Sequence, residues 1–148
     1  MIRPYQKKDL NRLSEIYHLA RPYEFSYESS EFEFETLLEE TDNLQRFFQS
    51  TILVLEEQGQ IKGFGGYVHD YIAWLYVDPK FHRQKVGQRL LKHMLEKLKH
   101  KKLLRISIVK SNLAARACYE SLGFREKETF YVNFQGQTLE GLRMTCEF

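Results

Sequence analysis

In the first third of the chain, the apolar residues first recur at helical spacing and then lose any period. Each change of spacing predicts the end of one element and the start of another. A short strand is expected at 1–4. A helix is expected after it, because apolar residues recur three or four positions apart: Leu10, Leu13, Ile16, Tyr17 and Ala20. Residues 21–30, RPYEFSYESS, carry a proline and serines without a period, which predicts a loop. Ser30 is the expected N-cap of a second helix over 31–48, with an interruption near 41–43.

Three short apolar runs follow, separated by turn residues. The runs at 51–57, 61–68 and 71–78 predict strands, and the intervening EQGQ and HD predict hairpin turns. From Val86 the apolar residues return to helical spacing, which predicts a helix over 86–100. The run LLRISIV at 103–109 is entered across that helix, so it should lie parallel to the strand at 71–78 through a right-handed crossover.

The last quarter of the chain predicts a short helix and a hairpin. SNLAARACYESLGF has a capping residue, Ser111 or Asn112, at its start and Gly123 where helices commonly end in the left-handed conformation. The remaining residues predict two strands joined around 135–137. The fold class expected over 1–148 is a single α/β domain, in which helices flank a mixed, mostly antiparallel sheet with a central parallel crossover.

Composition narrows the class of protein. A chain of 148 residues with 43% hydrophobic content is the right size for one domain around one core. The N-terminal MIRPYQKKDL lacks the apolar region of a secretory signal, and no apolar run approaches a membrane span, so a cytoplasmic protein without membrane association is expected. Cys118 and Cys146 lack metal-ligand spacing, which predicts reduced thiols in the core and no metal site.

Charge is distributed unevenly along the chain. Between Tyr23 and Glu40 there are seven glutamates and no lysine or arginine, whereas residues 80–110 hold eleven lysines and arginines against the single acid Glu96. This polarity indicates one region that attracts cations and another that attracts an anion. Solvated helix faces are the alternative interpretation.

The segment HRQKVGQRLL at 82–91 lies between a predicted strand and a predicted helix. A helix start offers unpaired amides and the positive end of the helix dipole to an anion, and Arg83, Lys85 and Arg89 would add positive charge. Read alone, the segment predicts either a phosphate site or an ordinary helix start.

Three segments taken together resemble one family. The strand at 71–78, HRQKVGQRLL and the later NLAARACYESLGF are similar, in order and spacing, to the GNAT superfamily, the Gcn5-related N-acetyltransferases. In that family's motif [R/Q]-x-x-G-x-[G/A], His82 takes the Arg/Gln position, Lys85 the first glycine position and Gly87 the second. The family pattern N-x-x-A-x-x-x-Y-E-x-x-G-F is matched by Asn112, Ala115, Tyr119, Glu120, Leu122, Gly123 and Phe124.

The resemblance implies acetyl-CoA as co-substrate and a place for it. In the family, the strand equivalent to 71–77 bulges and splays from the strand equivalent to 103–109, and the pantetheine arm lies in the opening. Main-chain groups of 75–77 would bond the pantetheine, 82–88 would hold the pyrophosphate, and Asn112 would line the coenzyme. The implied coenzyme residues are Leu75, Tyr76, Val77, His82, Arg83, Gln84, Lys85, Val86, Gly87, Gln88 and Asn112.

The chemistry of acetyl transfer needs a proton donor and a proton acceptor. By resemblance Tyr119 is the catalytic general acid, and an aromatic core residue is the alternative. Some family members carry a glutamate that acts as the base on the strand equivalent to 103–109. In this sequence that position is Ser107, and a serine side chain cannot serve as the base. His69 and Asp70 are candidates for the base or simply a polar turn. A second set of candidate residues lies in the predicted loop, where acidic and aromatic side chains could bind a cationic amine or could simply be solvated: Tyr23, Glu24, Tyr27 and Glu28.

The function expected is an acetyl-CoA dependent N-acetyltransferase that moves an acetyl group to a primary amine of a small molecule or protein by direct attack in a ternary complex. The alternative is a non-catalytic acyl-CoA-binding module, which the missing base and Lys85 favour. Nucleic-acid binding through residues 80–110 is not expected, because the segment lacks aromatic stacking residues. A monomer or a homodimer paired through the final strands is expected.

Overall fold

A seven-stranded sheet organises the computed structural model, which describes residues 1–29 and 31–148. The predicted cap Ser30 lies outside the described residues. The helices are α1 (Leu10–Glu24), α2 (Thr41–Phe48), α3 (Val86–Leu98) and α4 (Leu113–Ser121). The strands are β1 (Ile2–Pro4), β2 (Thr51–Glu57), β3 (Gln60–Val68), β4 (Tyr71–Val77), β5 (Leu103–Val109), β6 (Arg125–Phe134) and β7 (Gln137–Glu147). Single turns of 3-10 helix span Lys7–Asp9, Pro79–Phe81 and Lys99–Lys101.

The sheet confirms the predicted topology. Its strand order is β1-β2-β3-β4-β5-β7-β6, with β4 and β5 parallel and every other neighbouring pair antiparallel. The connection between the parallel pair runs through α3. The hairpin of the last two strands turns at Gln135 and Gly136, both with positive φ, and places β7 between β5 and β6.

Helices cover both faces of the sheet because the central strands are apolar on both sides. Ile52 and Val54 of β2 pack with α1 and α2 in one core cluster, while Leu53 packs with α3 and α4 in another. Successive residues of a strand point to opposite faces, so a continuous apolar run serves both layers. The fold is therefore a helix–sheet–helix sandwich.

The predicted loop at 21–30 is wrong in its first part, because α1 continues through Pro22 to Glu24. The apolar period stops at Ala20, but Arg21 and Glu24 continue the same inward stripe, and the Arg21 side chain is only 11% exposed. Arg21 is paired with Glu40 at 3.4 Å. Because the buried residues of this last turn are polar, the periodicity of apolar residues does not show that the helix continues.

The predicted second helix is also shorter than expected, since residues 31–40 are not helical and α2 begins at Thr41. Phe32 and Phe34 both pack against Phe25 and Phe134, with ring centroids 5.1 to 6.3 Å apart across this cluster. Residues two apart in sequence point the same way in an extended chain, not in a helix. Packing of these rings therefore overrides the local helical pattern.

Candidate active site

The parallel strands β4 and β5 separate soon after they meet. Their register contains one paired position, Tyr71 with Arg105, among the described residues. The ladder between β3 and β4 shifts between Gly66 and Tyr67, which leaves Ala73 as an extra, bulged residue in β4. Beyond this bulge, the edge of β4 that faces β5 opens into a cleft with unpaired main-chain groups. The bulge and splay expected from the resemblance are both present.

A cavity of about 580 Å³, called here the loop cavity, extends from this cleft to the start of α3. Nearly all residues of the implied coenzyme set border it: Leu75, Tyr76, Val77, His82, Arg83, Lys85, Val86, Gly87, Gln88 and Asn112. Gln84 is the exception, because its side chain accepts a hydrogen bond from Lys62 Nζ at 3.3 Å outside the cavity. Residues from three separate stretches of the chain thus meet around one space.

The N-terminus of α3 points into the loop cavity. Arg89 donates the first helical hydrogen bond, to the carbonyl of Lys85 at 2.9 Å, so the amides of Val86, Gly87 and Gln88 precede it and have no helical acceptor. The helix lies close to β3 because Gly63 has no side chain: a Cβ there would stand 2.9 Å from Val86 Cγ1. Close packing therefore fixes free amides and a positive dipole end beside β4.

Lys85 adopts the left-handed conformation, with φ of 59°. Glycine adopts this conformation at little cost, whereas other residues pay for it, which explains the glycine at this position of the family motif. The lysine keeps the same backbone shape, leaves its amide in place, and holds an exposed ammonium at the mouth of the cavity. The substitution thus changes the charge of the loop and not its path.

The positive charges around the loop differ in availability. Among the described residues, the exposed side chains of Arg83 and Lys85 have no ion-pair partner. Arg89, expected to add charge here, instead binds Glu57 with its two terminal nitrogens at 2.9 and 3.2 Å. Hydrogen bonds from Arg89 lower the pKa of Glu57 to about 2, so this pair stays charged and closed at neutral pH. Arg89 is therefore held in a structural ion pair and is not available to bind an anion.

Helix α4 carries the candidate acid Tyr119 to the inner wall of the loop cavity. Asn112 caps the helix, with its Oδ1 accepting from the Ala115 amide at 3.3 Å. The Tyr119 ring is 7% exposed and packs edge-on against Phe124 at 5.7 Å. Burial, and then the neighbouring Cys118 and Glu24, raise the pKa of Tyr119, so the phenol keeps its proton at neutral pH. The residue is both a core aromatic and a wall of the cleft.

Two further cavities lie on the other side of the cleft. One of about 400 Å³, the strand cavity, is bordered by β5 to β7, including Ser107 and Phe134. The other, of about 440 Å³, is the helix cavity, bordered by α1, α2 and β4, including Trp74 and Tyr76. Arg21, Glu24 and Arg46 border both cavities. The cleft itself, about 80 Å³ between β4 and β5, is bordered by both Glu24 and Tyr119.

Glu24 borders the loop cavity, the cleft, the strand cavity and the helix cavity. Its Oε1 is buried without a hydrogen-bond partner among the described residues, although Arg21 Nε lies 3.5 Å away. Burial raises the pKa of the Glu24 carboxyl above its ordinary value, and the neighbouring Arg21 and Tyr76 oppose that rise. The sequence leaves Glu24 as either part of an amine-binding set or part of a solvated loop, and the structure places its carboxyl where the four cavities meet.

The other residues of the predicted acceptor set are dispersed. Tyr23 and Tyr27 border the loop cavity on the coenzyme side, and the Tyr23 ring meets His82 edge-on at 5.0 Å. Glu28 is hydrogen-bonded to Ser111. His69 and Asp70 form the β3–β4 turn and border none of these four cavities. The structure therefore separates His69 and Asp70 from the site.

Arg21 and Arg46 border the site but were not singled out from the sequence. The sequence does carry a signal for Arg21, which follows Tyr17 by four residues and precedes Glu24 by three, as on one face of a helix. Within the described part of the chain, no three histidine, cysteine or acidic side chains converge as metal ligands do. None of the described helices combines the length and apolar character needed to cross a membrane.

Comparisons with known proteins bear on the family and the fold of this chain. The model of the Acetyltransferase (GNAT) family matches residues 13–124. A [ribosomal protein bS18]-alanine N-acetyltransferase from Salmonella typhimurium is 40% identical over 65 residues, which is 40% of this chain and 44% of that protein. The chain thus matches less than half the length of this relative.

Solved structures extend the likeness to the whole chain. A GCN5-related N-acetyltransferase from Rhodopseudomonas palustris superposes with a TM-score of 0.82 at 20% identity, over 100% of this chain and 95% of that one. A phosphinothricin acetyltransferase from Sinorhizobium meliloti, in complex with acetyl-CoA, gives 0.76 at 18%, over 100% and 88%. The family model covers most of the chain and the fold agrees throughout, so this protein belongs to the GNAT family of acetyltransferases.

Proposed function

We propose that the protein is an acetyl-CoA dependent N-acetyltransferase that acts on a primary amine. One observation carries the proposal: the cleft between β4 and β5 joins a cavity suited to the coenzyme, on one side, to two cavities suited to an acceptor, on the other. A thioester placed in the cleft would be open to attack from the acceptor side. The curated relative carries out a reaction of this class on a ribosomal protein.

The loop cavity offers the coenzyme what its parts require. The free amides of Val86, Gly87 and Gln88 suit the pyrophosphate, and Lys85 adds charge at the cavity mouth. The open edge of β4 from Leu75 to Val77 suits the amide groups of the pantetheine arm, which would complete the interrupted ladder. Acetyl-CoA bound in this way would hold its thioester between β4 and α4.

Direct transfer would then proceed in a ternary complex. The amine nitrogen attacks the thioester carbon, and main-chain amides of β4 can stabilise the charge that develops on the carbonyl oxygen. The carbon–sulfur bond breaks with its electron pair on sulfur, and Tyr119 donates a proton to the departing thiolate. Since the phenol of Tyr119 stays protonated at neutral pH, it is ready for that role.

The acceptor would occupy the strand and helix cavities. Together they offer aromatic walls such as Phe134 and Trp74, and acidic groups such as Glu24 and Glu140. An aliphatic or α-amino group on a small molecule or on a protein chain suits this mixture. The N-terminal amine of a protein is one member of this class, and the relative's name points to it.

The setting of the enzyme follows from the same features. Because Cys118 and Cys146 are both free thiols and the co-substrate is an intracellular metabolite, we place the enzyme in the cytoplasm. Four of the eleven lysines and arginines of residues 80–110 form ion pairs, with Asp70, Glu57, Glu96 and Glu140, and we propose no nucleic-acid partner for this segment. The chain is proposed to act as a monomer or a homodimer.

The test is release of free thiol from acetyl-CoA in the presence of a panel of small amines, amino acids and peptides. Wild-type protein should release thiol with at least one acceptor. Tyr119→Phe should bind acetyl-CoA with unchanged affinity in calorimetry and lose about 10²-fold or more in turnover. Binding of acetyl-CoA without thiol release across the panel would favour the second candidate, a non-catalytic acyl-CoA-binding module, which Ser107 in place of a base also favours.

A further inference from the structure

The cleft has a serine at the position expected for a general base, but one carboxyl group does border it. Ser107 borders the cleft from β5 and cannot take up a proton at neutral pH. Glu24, at the end of α1, borders the same cleft. Among the described residues that border the cleft, Glu24 is the sole acidic side chain. A proton acceptor can therefore come from α1 and not from the sheet.

The environment of Glu24 differs from that of a structural ion pair. Its Oε1 and the nearby Arg21 Nε are both buried and lack hydrogen-bond partners among the described residues, at a separation of 3.5 Å. Buried polar atoms without partners cost free energy and are uncommon in folded proteins. Arg21 instead contacts Glu40 and the Tyr17 hydroxyl. Oε1 is thus enclosed beside Arg21, while the Glu24 side chain as a whole is 28% exposed and borders the cavities.

We propose that the Glu24 carboxylate accepts the proton of the acceptor amine, in place of the base that Ser107 does not provide. The inference rests on the proposed N-acetyltransferase function. Glu24 is the group through which the acceptor cavities and the coenzyme cavity meet, so an amine that enters from either acceptor cavity passes it before reaching the thioester.

The proposed step balances in protons and in electron pairs. The acceptor ammonium transfers one proton to Glu24 and becomes a neutral amine with a free electron pair. That pair forms the nitrogen–carbon bond, the carbon–sulfur bond breaks, and Tyr119 protonates the thiolate. The surplus proton on the new amide nitrogen returns to the Tyr119 oxygen, and Glu24 loses its proton to solvent. The products are an amide, a thiol and one proton.

The groups around Glu24 determine how it titrates. Arg21 on the same helix favours the carboxylate, while Glu40 before α2 and burial disfavour it. The phenols of Tyr76 on β4 and Tyr119 on α4 complete the immediate surroundings, and Arg46 on α2 borders the same acceptor cavities. Since burial is the largest of these influences, Glu24 is a stronger base than an exposed glutamate, while Arg21 still allows it to ionise.

The experiment compares Glu24→Gln with wild type and with Glu15→Gln, a matched change at an exposed position of the same helix. With the acceptor found active in the thiol-release panel, Glu24→Gln should lower kcat about 10²- to 10³-fold and leave the Kd for acetyl-CoA within twofold. The acid limb of the wild-type kcat profile, which reports ionisation of Glu24, should disappear in the variant. Glu15→Gln should match wild type in all three measurements.

A second variant distinguishes loss of a base from loss of structure. Glu24→Gln combined with Ser107→Glu returns a carboxyl to the cleft from β5, and should recover at least tenfold of the lost kcat together with an acid limb. If Glu24→Gln retains kcat within threefold and the same pH profile, the inference is overturned. If wild type itself releases no thiol with any amine, the proposed function fails first, so the two failures are distinct.

Discussion

Arg105 and Asp70 close the end of the cleft at which β4 and β5 still touch. The Arg105 amide donates to the Asp70 carbonyl at 2.8 Å, and its guanidinium contacts the Asp70 carboxylate at 2.9 Å. Hydrogen bonding to Arg105 lowers the pKa of Asp70, so the carboxylate is held as an ion-pair partner. The strands diverge from this point onwards, and the reactive part of the cleft lies beyond it.

Asp70 should therefore matter little for catalysis. Asp70→Asn keeps the backbone hydrogen bond and weakens a pair in which Arg105 is 52% exposed, so the free energy of unfolding should fall by about 1 kcal/mol or less. Thiol release should stay within threefold of wild type. Denaturant unfolding and steady-state kinetics check both values. A loss of turnover above tenfold, without a change in stability, would return Asp70 to the list of candidate bases.

Gly87 is expected to matter for the coenzyme more than for the fold. A Cβ at this position would meet Val77 Cγ2 at 3.5 Å, an ordinary contact, so Gly87→Ala should fold with unchanged stability or a small gain from helix propensity. The added methyl group faces the loop cavity and should weaken acetyl-CoA binding roughly tenfold, or about 1.4 kcal/mol, in calorimetry.

Gly123→Ala is the matched comparison, since Gly123 ends α4 with φ of 103°. This backbone conformation strains any other residue, so the variant should lose about 1–2 kcal/mol of stability and retain coenzyme affinity. Equal affinities in the two variants would contradict the placement of the pyrophosphate at Gly87.

Lys85→Gly restores the glycine typical of the family and tests what the lysine side chain does. Relief of the left-handed strain is offset by greater freedom of the unfolded chain, so stability should change by about 1 kcal/mol or less. Affinity for acetyl-CoA should fall severalfold at low ionic strength, and the difference should shrink as salt screens the lost charge. Lys92→Ala, which removes an exposed charge further along α3, should show no such salt-dependent loss.

Glu24 should lower the stability of the protein at neutral pH. Its pKa is higher in the folded state than in the unfolded state, so the folded state binds the extra proton. The contribution of Glu24 to stability is then fully present below the unfolded pKa and is lost as the pH rises through the folded pKa. Glu24→Gln, which is always neutral, should be about 1 kcal/mol more stable than wild type at pH 7. The gain should vanish near pH 4 in parallel denaturant titrations.

The sequence predicts most of the fold because its central strands are apolar and are separated by clear turn residues. The crossover through α3 follows from the helical spacing of Val86, Leu90 and Leu91, which are all buried. The end of α1 was mispredicted because its buried face there is made of Arg21 and Glu24. A pattern based on hydrophobicity finds helices that bury apolar residues and overlooks one that points charges into a site.

The residues of the candidate coenzyme site are expected through the family resemblance, and most of them lie in one continuous segment that the matching motif covers. The amides of α3 follow from the position of a helix start after a strand. The acceptor side was predictable only in part: Glu24 is in the expected set, but its neighbours Arg46 and Ser107 come from distant parts of the chain and meet it only after the sheet has formed. The commitment of Arg89 to Glu57, 32 residues away, was hidden for the same reason.

The extra residue in β4 has a consequence for length variation in this protein. Ile72 packs on the side of α3 and α4, Trp74 and Tyr76 face α1, and Ala73 is the unpaired residue between Ile72 and Trp74. Removal of Ala73 would therefore restore a regular ladder and leave each later residue of the strand on its present face. The deletion would instead remove the local bend of β4 beside β5. A single extra residue thus controls how wide the cleft opens, and not which side chains line it.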